Sequence, residues 1–186
     1  SQVLDADGNL ISDTSGLRQW TPIGHYNSDT DNLGFAGTFD GNGKTISGLY
    51  HYGDTARYAG LFGYSAGTIR DLTIADTYIH TTHSDGRAGS VTGLNEGTVS
   101  NCSNYGIVVG VNQVGGIIGR IIAGLVENCT NYGTVNSTTH AGGICGCASG
   151  GTINNCYNTG SVKADSSVGG IAGSMQNTSN ISNCIS

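Results

Sequence analysis

Proline is nearly absent: Pro22 is the only one in 186 residues, although glycine supplies 32. That much glycine without proline excludes a collagen-like chain and a proline-rich linker. Charge is scarce as well, at 11% of residues, with five Arg and two Lys scattered singly. Disordered chains carry more charge and fewer β-branched residues, so the composition is that of a folded chain. The formal net charge is -6 and no basic stripe exists, which argues against a nucleic-acid partner. No apolar run approaches the roughly 20 residues of a membrane span, so no membrane insertion is expected within this segment. There is no signal-like start. Opening at Ser1 without Met and stopping inside a repeat, the chain reads as a piece of a longer protein.

What is present is repetition. The segment YAGLFGYSAGTIRDLTI from Tyr58 returns as RAGSVTGLNEGTVSNCSNYGIV from Arg87 and VGGIIGRIIAGLVENCTNYGTV from Val114. It continues as AGGICGCASGGTINNCYNTGSV from Ala141 and VGGIAGSMQNTSNISNCIS from Val168. The marker glycines Gly63, Gly93, Gly119, Gly146 and Gly173 are spaced by 30, 26, 27 and 27 residues. Self-similarity at such a period marks a solenoid or array.

Each copy places the same chemistry at the same position. One aliphatic column is Leu61, Val91, Ile117, Ile144 and Ile171; a second is Ile69, Val99, Val126, Ile153 and Ile181. A third is Leu72, Cys102, Cys129, Cys156 and Cys184, and a fourth is Val108, Val135 and Val162. The cysteines therefore recur at the repeat spacing, not at the spacing of a metal clamp, and Leu72 shows that the position wants a small apolar body. They are expected as reduced thiols in the core. Asn101, Asn128, Asn155 and Asn183 precede the Cys, with Asp71 in the first copy, while Asn104, Asn131 and Asn158 follow it. Stacked amides can bond along a stacking axis. Gly106, Gly133 and Gly160 are expected to supply left-handed turns.

Short β segments between Gly and Asn corners, with no apolar face at helical spacing, predict an all-β chain. If each repeat is one coil, like residues stack at about 4.8 Å in parallel sheets, and each coil needs a neighbour to bury its columns. The predicted fold is a parallel β-helix (β-solenoid) with coils of about 27 residues and an N-terminal cap. Residues 1–57, which hold the only Trp, the only Pro, Phe35 and Phe39, are expected as cap and first irregular coil, with residues 39–46 as a tight turn entering a strand. Residues 58–186 divide into five repeats at 58–86, 87–113, 114–140, 141–167 and 168–186, the last incomplete.

GLFGYSAGTI, GGICGCASGGTINNCYNTGSV and GGIAGSMQNTSNISNC resemble GLUG motifs, and FAGTFDGNGKTISGLY resembles the segment that often precedes such arrays. The resemblance covers roughly Trp20 to Ser186. It implies a right-handed β-helical array in a bacterial secreted or cell-surface protein, such as adhesin-like proteins or the non-catalytic regions of IgA-specific metallopeptidases. It assigns no ligand, because the motif's Gly, Ile and Asn are structural.

Chemistry is thin. His80, His83 and Asp85 could hold zinc, but they fall in a variable polar loop. Asp5–Asn9 resembles the start of an EF-hand loop, yet Leu10 and Gly16 stand where Gly and Glu are needed, so a turn is expected. Asp29, Asp31 and Asp40 could bind calcium only if folding gathers them. The acids Glu96, Glu127 and Asp165 fall in different columns, which argues against a polysaccharide-cleaving pair. Cys145 and Cys147, if strand alternation holds, share a face and pack or form a strained bridge. Tyr105, Tyr132 and Tyr157 are read as a structural ladder in preference to a sugar platform.

The expectation is a non-catalytic structural or adhesive segment, not an enzyme, acting as stalk or ligand-presenting scaffold outside the cell. No cofactor or metal is called for. Its expected partners are the rest of a larger chain and a host or matrix glycan or protein. The alternative is a carbohydrate-binding or polysaccharide-cleaving β-helix.

Overall fold

The computed structural model describes residues 2–28 and 31–186, and every regular element among them is a β-strand, most of two to four residues. Gly and Asn at the corners keep the strands short, and β-branched residues fill them. Apart from the antiparallel pair His25–Ser28 and Asp31–Leu33, the strands lie in four parallel stacks that the chain visits in fixed order. In the coil from Tyr58, Tyr58–Ala59 stands in the first stack, Phe62–Ser65 in the second, Thr68–Ala75 in the third and Tyr78–Thr81 in the fourth. Arg87–Ala88 then returns to the first. Successive coils pair in register, so that Val99 meets Val126 and Val126 meets Ile153, 27 residues apart. The molecule is a parallel β-solenoid.

The inner columns are the ones the repeats mark. Leu61, Val91, Ile117 and Ile144 are buried, as are Ile69, Val99, Val126 and Ile153. In the last coil Ile171, Ile181 and Cys184 are only half-buried, because no coil stacks on them. Fully burying one such side chain stabilises by about 1.5–3 kcal/mol, and most of that gain needs a neighbour on both sides.

A second interior column is polar. Asn104 Nδ2 donates to Asn131 Oδ1 at 2.8 Å, and Asn131 Nδ2 to Asn158 Oδ1 at 2.8 Å. Each amide also closes its own corner: Asn104 Oδ1 accepts from Gly106 N at 3.0 Å, and Asn131 Oδ1 from Gly133 N at 3.3 Å. Against the amides stands the second glycine of the pairs at 115–116 and 142–143. A Cβ at Gly116 would fall 2.3 Å from Asn131 Cγ, and one at Gly143 would fall 2.2 Å from Asn158 Cγ. The Gly-Gly signature of the repeat therefore makes room for the buried amide.

Two turn expectations are corrected. The left-handed residues are not Gly106, Gly133 and Gly160 but Asp71, Asn101, Asn128, Asn155 and Asn183, at φ 54, 53, 54, 51 and 53°. Gly133 and Gly160 are small for another reason: a Cβ on either would lie 2.0 Å from a carbonyl oxygen of the preceding coil. Residues 39–46 are not a tight turn but part of the strand Thr38–Ser47, which pairs with Thr68–Ala75 across a bulge between Asp40 and Lys44. Asn42 and Gly43 take positive φ in that bulge.

Before the repeats, Tyr50–Gly53 already pairs in the fourth stack, and bridges at Gln19, Ile23 and Phe35 lay the preceding segment under the first full coil. Trp20, Phe35 and Phe39 pack against the core from that end. Residues 2–17 instead lie along the side. Val3 and Leu4, with Leu10 and Leu17, cover Tyr50, Tyr78 and Ile107 on the outer face of the fourth stack. Asp76 Oδ1 holds them there by accepting from Val3 N at 2.9 Å and Leu4 N at 2.7 Å.

Candidate functional site

The folded chain gives the residues that sequence grouped as a metal site other partners. Asp85 is held by two guanidiniums, Arg57 through Nη2 and Arg87 at 3.2 Å, and it accepts from Asn112 Nδ2 at 2.8 Å. Burial works to raise the Asp85 pKa, but the Arg57 hydrogen bond and the charges of Arg87 and Arg57 outweigh it, leaving the carboxyl below its ordinary value. His83 Nδ1 instead accepts from Asp85 N at 3.1 Å, within its own loop. His80 packs its ring 5.0 Å from Tyr52 and 5.9 Å from Tyr78. Burial, then His51, holds the His80 pKa below its ordinary value, so its imidazole is neutral at neutral pH. Among the described residues no group of three His, Cys, Asp or Glu forms a metal cluster.

Other candidates are likewise absorbed by structure. Asp5 closes a turn, its Oδ1 accepting from Asp7 N and Asn9 N at 3.0 and 2.8 Å. Asp40 pairs with Arg70 at 2.8 Å. Asp29 lies outside the described residues. Tyr105 and Tyr132 stack face to face, centroids 4.5 Å apart and planes 12° apart, so each spends one ring face on the other. Tyr157 stands one column over, in register with Thr130.

The six cysteines are free thiols, five of them buried and Cys184 half-buried. In the column, each Sγ donates to the carbonyl two residues back, across the left-handed corner: Cys102 to Ser100 at 3.3 Å, Cys129 to Glu127 at 3.2 Å. Burial and the flanking Cys102 and Cys156 push the Cys129 thiol well up, and burial pushes Cys145 up to about 12. Protonated, buried sulfur is a packing group and not a nucleophile. The expected shared face for Cys145 and Cys147 meets a bend. At the matching positions of the first coil, Phe62 joins the central core while Tyr64 packs in a separate cluster with Tyr58 and Leu94. Cys145 follows Phe62 into the central core.

One site was not singled out from the sequence. At the N-terminal end, Gln19, Trp20, Thr21 and Pro22 face His51, Tyr52, Thr55 and Ala56 across a cleft of about 410 Å³. A second hollow adjoins it through Thr21, Pro22, Thr55 and Ala56 and reaches Arg57 and Tyr58. His51 is 3% exposed and occupies the position that Ile79, Val108, Val135 and Val162 fill in later coils. Its Nδ1 lies 3.0 Å from Trp20 O, which can only accept, so Nδ1 carries a proton. That Nε2 is buried and has no hydrogen-bond partner among the described residues, as is Arg57 Nε. A buried polar atom left unpaired costs about 1–3 kcal/mol. The sequence signal was available: an imidazole in a column that is otherwise aliphatic.

Comparison with known proteins agrees with the geometry. Residues 137–163 match the family model described as the GLUG motif. The chain is 35% identical over 122 residues to Halomucin of Haloquadratum walsbyi, covering 64% of this chain and 1% of that protein. It is 34% identical over 103 residues to the "Putative Gly-rich membrane protein" of Evansella cellulosilytica, covering 54% of this chain and 11% of that one. It thus spans only a small part of either relative. A crystal structure from Bacteroides ovatus, described as a "putative immunoglobulin A1 protease", superposes with a TM-score of 0.68 over 92% of this chain and 57% of that one. At 21% identity that likeness concerns the fold alone. The chain is a β-solenoid that carries a GLUG motif at residues 137–163, where the motif forms one of its coils.

Proposed function

We propose that this chain is a non-catalytic segment of an exported surface protein, serving as a stalk or as a scaffold that presents ligands. The observation that carries the reading is the unbroken stacking of the inner columns from coil to coil, with packing thiols and amides filling the interior. Such an array transmits position along its axis and adds length by repetition. The mucin and membrane-protein names of the two relatives support an exported setting. Its partners are the rest of a parent chain and a host or matrix glycan or protein; no cofactor enters the reading. Two measurements test it. An antibody against this chain should label intact cells that make the protein, and label appearing only after permeabilisation overturns the surface setting. Incubation with common polysaccharides should release no reducing ends above buffer, and release that rises with protein concentration makes the chain an enzyme.

A further inference from the structure

We propose that Tyr105 and Tyr132 form an oxidative cross-linking site, where hydrogen peroxide and a haem peroxidase join the two rings as dityrosine and so link neighbouring coils. The rings lie face to face, centroids 4.5 Å apart and planes 12° apart, at the close end of the range for aromatic pairs. Both are open to a reagent, Tyr105 being 51% and Tyr132 46% exposed. Strand pairing fixes them from both sides: Asn104 is in register with Asn131 and Ile107 with Thr134. Tyr132 N also donates to Asn104 O at 2.8 Å, which ties the second ring's backbone to the coil of the first. Two phenols are thus held in contact at the surface, one coil apart. The free thiols that would intercept a radical are buried, save the half-buried Cys184.

A phenol that gives up one electron and its hydroxyl proton becomes a phenoxyl radical, whose unpaired spin is shared with the ring carbons ortho to the oxygen. In a face-to-face pair the orbitals that carry this spin point at the partner ring. Two such radicals join through one new C–C bond between ortho carbons. Each ring then moves the hydrogen on that carbon to its oxygen, which restores the phenol. Overall two C–H bonds break and one C–C bond forms, and the two electrons and two protons released reduce one hydrogen peroxide to two waters. Because the strands hold the rings in place, coupling within one chain has the advantage of a unimolecular step over encounter between chains.

Among the described residues no other pair of tyrosines combines exposure with face-to-face contact. Tyr50 and Tyr78 stack at 6.2 Å, but Tyr50 is buried beneath Val3 and Leu4. Tyr26 meets Tyr58 and Tyr64 edge-on, and both of those are buried. Tyr52 is open but meets the ring of His80, and Tyr157 is open but stands in register with Thr130 and Ile185.

The test treats the dilute 186-residue chain with hydrogen peroxide and a haem peroxidase, then unfolds it, reduces it and digests it with trypsin. Cleavage after Arg120 separates Tyr105 from Tyr132, so a link between them joins the peptides 88–120 and 121–163. The treated chain should remain a single chain on a denaturing gel, lose two hydrogens in mass and gain dityrosine fluorescence. The two peptides should be recovered as one. Tyr132→Phe keeps the ring and removes only an exposed hydroxyl, so it should fold like the parent and yield no joined peptide. Tyr157→Phe, in the same tryptic peptide as Tyr132, should leave the link intact. The proposal is overturned if no joined peptide forms, if Tyr132→Phe still forms it, if Tyr157→Phe abolishes it, or if coupling occurs only between chains. The stalk reading rests on the labelling and cleavage measurements and does not depend on this result.

Discussion

Asp71, Asn101, Asn128, Asn155 and Asn183 share one backbone conformation, which for most L-residues costs about 1–2 kcal/mol. Asn and Asp tolerate it best after glycine, and here their side chains also link neighbouring coils, Asn101 Nδ2 donating to Asp71 Oδ1 at 2.9 Å. Asn128→Ala should therefore lower stability by about 1 kcal/mol or somewhat more, while Asn128→Gly should recover most of that loss. Urea denaturation of the pair measures it, and equal midpoints for the two variants would remove backbone strain as the reason for this column. The sequence showed that a polar residue recurs before each Cys. It did not show whether that residue or the later Gly turns left-handed, because both types are at home there and a single period serves both.

At the scale of strands, the thiol column follows from the corner that precedes it. The left-handed residue turns Cys102, Cys129 and Cys156 inward, where each S–H finds the carbonyl just behind it. A maleimide reagent should leave Cys102, Cys129, Cys145, Cys147 and Cys156 unmodified in the native protein and modify Cys184 slowly. All six should react once the chain is unfolded; failure to do so after denaturation means that some are oxidised. The third-stack columns were legible because pairing repeats their spacing. The side-lying segment of residues 2–17 was not. Its anchor, Asp76, lies more than 70 residues along the chain from Val3, and no periodicity encodes a contact made once. The cleft at His51 escaped for the same reason: its two walls come from segments that precede the regular repeats.

The molecule as a whole has two unlike ends. Trp20, Phe35 and Phe39 pack over one, whereas at the other Val168 is 53% and Ile185 66% exposed. In a dilute monomer, amides of residues 168–186 should exchange faster than those of residues 90–130, because each coil is secured by its neighbours. Equal protection would mean that the last coil is secured by contacts other than stacking. Between the ends, the coils that carry Asn104, Asn131 and Asn158 offer one another the same strand pairing and the same interior amide. An in-frame gain or loss of one coil's coding sequence therefore leaves each remaining hydrogen bond with an equivalent partner. Length can drift by whole coils without a compensating substitution, while an insertion within a strand reverses which of its side chains face inward; the corners absorb small differences, since paired residues lie 26 to 30 apart. Such a gene is tolerant of unequal recombination and intolerant of small insertions within strands, and comparison of allele lengths across strains would show steps of whole coils.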